Sequence, residues 1–393
     1  MQKFLFRSAV ASALLLAFGA QAADVQLFGF FDQGVVYVHE ELNRGMASPA
    51  GQSAANVLDA NGLVADEATR SNVALGTGNV STWGLKGSEK LTDDLTVAFH
   101  LESGFLPDDG TLYGAGSPLW ERESSLALKS ARFGELKFGR MPALTTGSGT
   151  TGIFNSRVNP FGAGWGNMTG GWKFAGVLAQ ARWNNMVNYI SPSVNGFKVH
   201  LQHSFGNKND ATEGTSNADR WTAAGFTWQG ERFFLAAAAD WLKAGSNNAR
   251  TDKDAWKAIV GGNVALPAFK LYGTVQYMKN IQYIGGYSTK EFAPLARYGQ
   301  KSEGFEAWAF ATGVDVPVAG GTLKASVGYA FGENQNTDSN NEFTRWNAGL
   351  GYVHPLSKRT SVYGITGFFT QDADWQKDDI TAHEVILGLM HRW

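Results

Sequence analysis

The 393-residue chain has no cysteine, only 10 prolines, and charges that nearly cancel at a formal −2. Without cysteine there is no disulfide framework. The near-neutral balance excludes the basic footprint of a nucleic-acid-binding protein, and 44% apolar with 13% aromatic residues excludes disorder. After residue 22 no run approaches the length of apolar residues that a membrane-spanning helix needs. Nor does any stretch hold apolar residues at helical spacing for three turns with caps at both ends. Glycine is abundant, at 48, but it follows no three-residue period and proline is scarce, so collagen-like and low-complexity readings fail. The glycines belong inside folded elements.

At the start, Lys3 and Arg7 precede an apolar run from Ala9 to Phe18, and Ala20-Gln21-Ala22 follows. A basic, then apolar, then small-residue order predicts an export signal over residues 1–22, with the mature chain beginning at Ala23.

Beyond it the recurring pattern has period two. Phe197, Val199 and Leu201 interleave with Lys198, His200 and Gln202, and Leu323, Ala325, Val327 and Tyr329 with Lys324, Ser326 and Gly328. Such alternation is that of half-buried strands. It predicts sixteen: 25–38, 80–89, 95–105, 121–130, 135–140, 182–191, 197–205, 220–228, 233–242, 254–266, 270–282, 304–316, 322–331, 344–354, 361–371 and 382–393.

The connections decide the architecture. Short turns such as 193–196, 229–232, 319–322 and 357–360 alternate with longer polar segments such as 206–219, 243–253, 283–303 and 332–343. An even number of antiparallel strands, smooth at one end and elaborated at the other, behind an export signal, predicts an all-β transmembrane barrel whose closure leaves no unpaired edge. A soluble β-sandwich would need shorter strands and no aromatics at strand ends. Here Phe28, Tyr37, Trp83, Phe105, Phe205, Trp228, Trp241, Trp256, Tyr277, Phe331, Trp346, Tyr352, Phe369 and Trp393 all lie near strand ends, as a membrane interface requires. The last strand puts Val385, Leu387, Leu389, His391 and Trp393 on one face, an apolar edge that must pair with the first strand to close the barrel.

Six stretches carry a family likeness: VQLFGFFDQGV at 25–35, STWGLKGSEKL at 81–91, VAFHLESGF at 97–105, FGELKFGR at 133–140, RWNNMVNYISP at 182–192 and the ending GLMHRW. In this order and spacing the chain resembles the trimeric sixteen-stranded porins of the Gram-negative outer membrane, in particular the β-proteobacterial branch. The resemblance implies a water-filled channel, a homotrimer in contact with outer-membrane lipid and lipopolysaccharide, and a third outer connection folded into the lumen. That connection would be 141–181, a stretch whose length without strand pattern itself calls for a function. It contains Arg157 and Lys173, five aromatics, and neither Asp nor Glu.

The family sets arginines on the wall against acids on that connection. By resemblance Arg122 and Arg182 match two wall arginines, Thr82 stands where a third is usual, and the acidic counterweight is missing. Ion pairing at the wall or at a subunit interface is the competing role for Arg122 and Arg182, and the favoured one for Arg140. Independently, alternation turns Lys86, Lys137, Lys198, Lys257, Lys270, Lys324 and Arg345 inward, against Asp32, Glu102 and Asp240. A basic lumen favours anions.

Trp165, Trp172 and Trp183 could stack sugar rings or aromatic acids, although packing of the connection against the wall is the simpler use. The paired carboxylates at 93–94, 108–109 and 378–379 fit solvated turns. His200 and His203 point to opposite sides of a strand, so no shared metal is expected. Gly-Ser-Gly-Thr-Thr-Gly at 147–152 lacks the lysine of a phosphate loop. No cofactor and no catalytic constellation is expected. Three readings remain: a general porin with anion preference, a solute-selective porin, and a surface β-protein that binds glycans without forming a pore.

Overall fold

The computed structural model describes residues 24–43, 67–114, 116–146, 149–162, 165–166, 168–170, 181–206, 215, 217–246, 248, 251–281, 303–335, 341–374 and 379–393. The strands are β1 (Asp24–Asn43), β2 (Glu67–Gly76), β3 (Ser81–Lys90), β4 (Leu95–Phe105), β5 (Glu123–Ser130), β6 (Gly134–Pro142), β7 (Arg182–Ile190), β8 (Phe197–Ser204) and β9 (Arg220–Gln229). They continue as β10 (Phe233–Lys243), β11 (Ala255–Ala265), β12 (Lys270–Ile281), β13 (Phe305–Val318), β14 (Gly321–Asn334), β15 (Glu342–Pro355), β16 (Thr360–Ala373) and β17 (Ile380–Arg392).

Every neighbour pairs antiparallel, and β17 pairs with β1 from Phe30↔Arg392 to Glu41↔Thr381, closing the sheet. β2 and β3 both lie against β1, β2 along its second half and β3 along its first. They are two lengths of one strand interrupted at 77–80, so the barrel has the sixteen positions that the alternation predicts. β2 itself was absent from the sequence reading.

The faces sort as the pattern requires. Leu27, Val73, Leu201, Leu350 and Leu387 are exposed on the outer surface, and the last strand's Val385, Leu387, Leu389, His391 and Trp393 are exposed with them. Two of the expected interface aromatics are exceptions. Phe28 shares its face with Lys86, which lies 5.3 Å from its ring centroid, and Phe369 is fully buried beneath Arg345. Their strand registers place both on the inner side, a distinction that nearness to a strand end does not make.

Packed apolar residues lie inside the barrel, between the wall and the segment that follows β6. Met141, Leu144, Phe154, Trp183, Met186 and Trp221 form one cluster, and Phe161, Tyr363, Ile365 and Ile386 another. The wall is thinned to receive them. A Cβ on Gly349 would stand 2.8 Å from Thr169, and one on Gly367 2.8 Å from Met168, so only glycine lets the segment lie this close.

Candidate functional site: the lumen

The segment after Pro142 runs around the inner wall, and polar wall side chains meet its backbone in order. Gln202 of β8 accepts from Leu144 N at 2.6 Å, and Asp240 of β10 accepts from the Thr145 hydroxyl. Asn263 of β11 donates to Arg157 O, Thr274 of β12 to Val158 O, and Lys324 of β14 to Pro160 O. Ser326 and Asn347 then donate to Thr169 O and Met168 O, and Glu384 of β17 accepts from Met168 N at 2.5 Å. Gly166 N finally reaches Gly78 O at 2.7 Å, where β2 gives way to β3. Inward wall residues are polar because these carbonyls and amides need partners once water is excluded.

Across the lumen from that path, β3 to β7 carry the charges. Arg122 Nε lies 2.8 Å from Glu102 Oε1, His100 Nε2 lies 3.3 Å from Glu102 Oε2, and Arg182 Nε donates to Arg122 O at 3.0 Å. Glu121 accepts from Gly104 N at 3.0 Å, while its carbonyl accepts from Arg140 Nε at 2.6 Å; Arg140 also donates to Asn184. Burial raises the Glu121 carboxyl above the ordinary glutamate range, against the pull of Gly104 N and of the Arg122 and Arg182 charges. A recess of about 330 Å³ opens on this wall, lined among others by Gln26, Lys86, His100, Ser125, Lys137 and Thr150.

The model for the Gram-negative porin family matches residues 9–374. The chain belongs to this family. An outer membrane porin protein of Bordetella pertussis is 27% identical, with 98% of this chain and 100% of that protein covered. Outer membrane porin protein 32 of Delftia acidovorans is 28% identical, covering 92% and 89% respectively. Among solved structures, an anion-selective porin from Comamonas acidovorans superposes with a TM-score of 0.66 at 22% identity, over 95% of this chain and all of that one. The channel DcaP of Acinetobacter baumannii gives 0.64 at 15% identity, over 95% and 99%. The protein is therefore an outer-membrane porin, and its barrel encloses a channel.

Within this porin the residues singled out by sequence divide. Lys86 is exposed to the lumen and lies over the Phe28 ring, with no hydrogen bond or ion pair to any described residue. Lys198 is exposed on the inward register of β8, with His200 and Gln202, and the charges of Lys198 and Arg157 both bear on the His200 ring. Arg157 is exposed, 5.1 Å over Phe234. Thr82 is buried, paired with Phe30 and Gly104. Trp183 is buried and stacked on Trp221 at 5.9 Å, which leaves it no face for a solute; Trp165 packs edge-on to Tyr363 at 4.8 Å. Trp172 and Lys173 lie outside the described residues.

Alternation places Asp240 inward, where it meets Lys257 at 3.4 Å, but it misses Glu123, which meets Lys137 at 3.2 Å, and Asp315, which meets Lys324 at 3.0 Å. Asp315 stands directly opposite both Lys270 and Lys324 in the ladder, so its inward direction could have been read from strand register. The predicted strand 121–130 starts two residues early, with Arg122 as a wall residue, whereas β5 begins only at Glu123, which takes the inward side itself beside Lys137. The basic surplus that water can reach is thus narrower than a count of inward lysines implies.

Proposed function

We propose that this porin passes small hydrophilic solutes and ions by diffusion with a preference for anions, through a lumen narrowed by the inward connection at about 141–181. It works as a homotrimer set in outer-membrane lipid and lipopolysaccharide, after removal of residues 1–22. The observation that carries the preference is the difference between paired and open charge. Glu102, Glu123, Asp240 and Asp315 each hold a cation, whereas Lys86, Lys198 and Arg157 face water and contact no carboxylate among the described residues. Arg182, which donates to the Arg122 carbonyl, adds positive charge at the outer end of β7, whereas Arg122 is held by Glu102. Open cations lower the energy of an anion in the lumen and raise that of a cation. The solved porin from Comamonas acidovorans is anion-selective, which supports the same reading. Reversal potential across a planar bilayer under a potassium chloride gradient tests it. A chloride-directed potential that shrinks as salt rises is expected, and a potassium-directed one would overturn the assignment.

A further inference from the structure

The recess of about 330 Å³ lies between the charged cluster of Glu102, Arg122 and Arg182 and the short connections 91–94 and 131–133. Two lines of inward side chains shape it. The register sets Gln26 beside Lys86, Lys86 beside His100 and His100 beside Ser125. In the next line toward the short connections, Ser88 stands beside Ala98, Ala98 beside Ala127 and Ala127 beside Lys137. The two alanines floor the hollow, and Ile190 of β7 adds to their apolar surface. This volume is at the lower end of ligand pockets, which run from about 300 to 1,000 Å³, and suits a one-ring solute.

Most of the charge in the recess is matched. Glu135 lies 3.5 Å from both Lys129 and Lys137, Lys137 also meets Glu123 at 3.2 Å, and Gln26 donates to Asp24 at 2.9 Å. His100 is held between Glu102 and the Phe28 ring, whose centroid is 4.8 Å from its own. Lys86 differs from these, since its ammonium lies over Phe28 and makes no hydrogen bond or ion pair with any described residue. The recess therefore joins a single open positive charge to an apolar floor. That combination selects among solutes. A second carboxylate would meet Glu135 or Asp24, a neutral sugar would leave Lys86 without a counter-charge, and an anion without an apolar body would leave the alanines wet.

We propose that this recess retains small aromatic monocarboxylates on their passage through the lumen, with the carboxylate on Lys86 and the ring over Ala98 and Ala127. The inference rests on the reading of the protein as an anion-preferring diffusion channel and names one class of solute for it. A charge-assisted bond from the Lys86 ammonium holds the carboxylate, and burial of one ring face against the alanines supplies the remaining affinity. Trp165 and Trp183 are engaged by Tyr363 and Trp221, so the surface offered to an aromatic acid belongs to the wall rather than to the inward segment.

The test is single-channel current through the folded barrel in a planar bilayer, with benzoate added at constant potassium chloride. Benzoate is expected to interrupt the open current. Acetate lacks the ring and benzamide the charge, and each is expected to block about tenfold more weakly or less. Lys86→Met keeps the length of the side chain and removes its charge, whereas Ala127→Leu keeps the charge and fills the hollow. Either change is expected to weaken the benzoate block about tenfold or more, with heat-modifiability on gels reporting that the barrel is folded. Terephthalate, which carries a second carboxylate across the ring, is expected to block less than benzoate. Equal block by acetate or benzamide, tighter block by terephthalate, or undiminished benzoate block in either folded variant would overturn the proposal. Reversal potential of the unaltered protein under a potassium chloride gradient separates the two readings. A chloride-directed potential without benzoate block sinks this proposal and leaves the anion preference intact, and a potassium-directed one sinks the anion preference itself.

Discussion

Tyr363 on β16 donates its hydroxyl hydrogen to Asp32 on β1 at 2.5 Å, bridging the inner face across β17. Gly78 N donates to the same hydroxyl at 2.9 Å, Asn79 N reaches the other carboxylate oxygen at 2.9 Å, and Trp165 lies edge-on to the ring. One phenol therefore joins the barrel seam, the break between β2 and β3, and the far part of the inward segment.

Tyr363→Phe keeps the ring against Trp165 and removes both bonds. Asp32 is fully buried and Gly78 N loses its acceptor, so a loss of about 1–3 kcal/mol is expected. Thermal unfolding in detergent measures it. Loosening of the segment near Trp165 should also appear as greater current noise in single open channels, with mean conductance little changed.

Lys86 is the cation best placed to set ion preference. Lys257 and Lys324 are tied to Asp240 and Asp315, and Lys324 also holds Pro160 O of the inward segment. Lys86→Gln should move the reversal potential toward zero, and Lys86→Glu should move it further. A change of Lys324→Gln should act mainly on stability, because it removes the cation beside the half-buried Asp315, leaving that carboxylate the Tyr272 hydroxyl, and loosens the Pro160 carbonyl. Equal reversal-potential shifts for the two lysines would show that distance from the open water does not matter.

Much of this was legible in the sequence, and the failures have physical causes. Alternation located the strands because one face meets lipid and the other a polar lumen, and that contrast is strongest in β13 to β17. It missed β2, where EATRSNVALG offers only Val73 and Leu75 to the outside and the strand gains definition from pairing with β1. The resemblance supplied Arg122 and Arg182. No local pattern shows that Gln202, Asn263, Ser326 and Asn347 would meet backbone groups of a segment far away in the chain, because such partners are fixed only when the barrel closes. The same holds for Trp183, whose burial depends on Trp221.

Glu121 should give the channel a pH response. Its carboxyl is raised by burial, so as pH falls it takes up a proton before ordinary glutamates do. Neutralising it beside Arg122 and Arg182 leaves the outer ends of β5 and β7 more positive, and anion preference should rise on mild acidification. For stability the sign is opposite to that of a paired acid. A raised folded-state value means that ionising Glu121 costs stability as pH climbs above the ordinary glutamate range. Glu121→Gln should flatten this part of the selectivity profile between neutral and acidic pH, read as reversal potential against pH.

Asp94 tests the opposite end of the barrel. It accepts from the Ser130 hydroxyl at 2.6 Å and from Ala131 N at 3.0 Å, joining two adjacent turns. The Ser130 bond, helped by Arg132 N, Ala131 N and the Arg132 charge, holds its carboxyl below the ordinary aspartate range. Its contribution is present at neutral pH and is lost as pH falls through that lowered value. Asp94→Ala should lower the unfolding temperature at neutral pH, and the gap from the unaltered protein should close in strong acid.

Gly166 gives the most direct test of the inward segment. Its φ of +71° is one that L side chains rarely adopt, and a Cβ there would run into the Glu384 carboxylate and lie 3.3 Å from Ile386. Gly166→Ala therefore carries about 1–2 kcal/mol of backbone strain in addition to the clash. Glu384 cannot retreat without giving up Met168 N, and Gly166 N cannot shift without giving up Gly78 O. The segment should move away from β17 into the water-filled lumen. Single-channel conductance is expected to fall while the barrel remains folded by heat-modifiability on gels. If conductance is unchanged and the barrel is folded, the path traced by 165–166 and 168–169 does not bound the open channel.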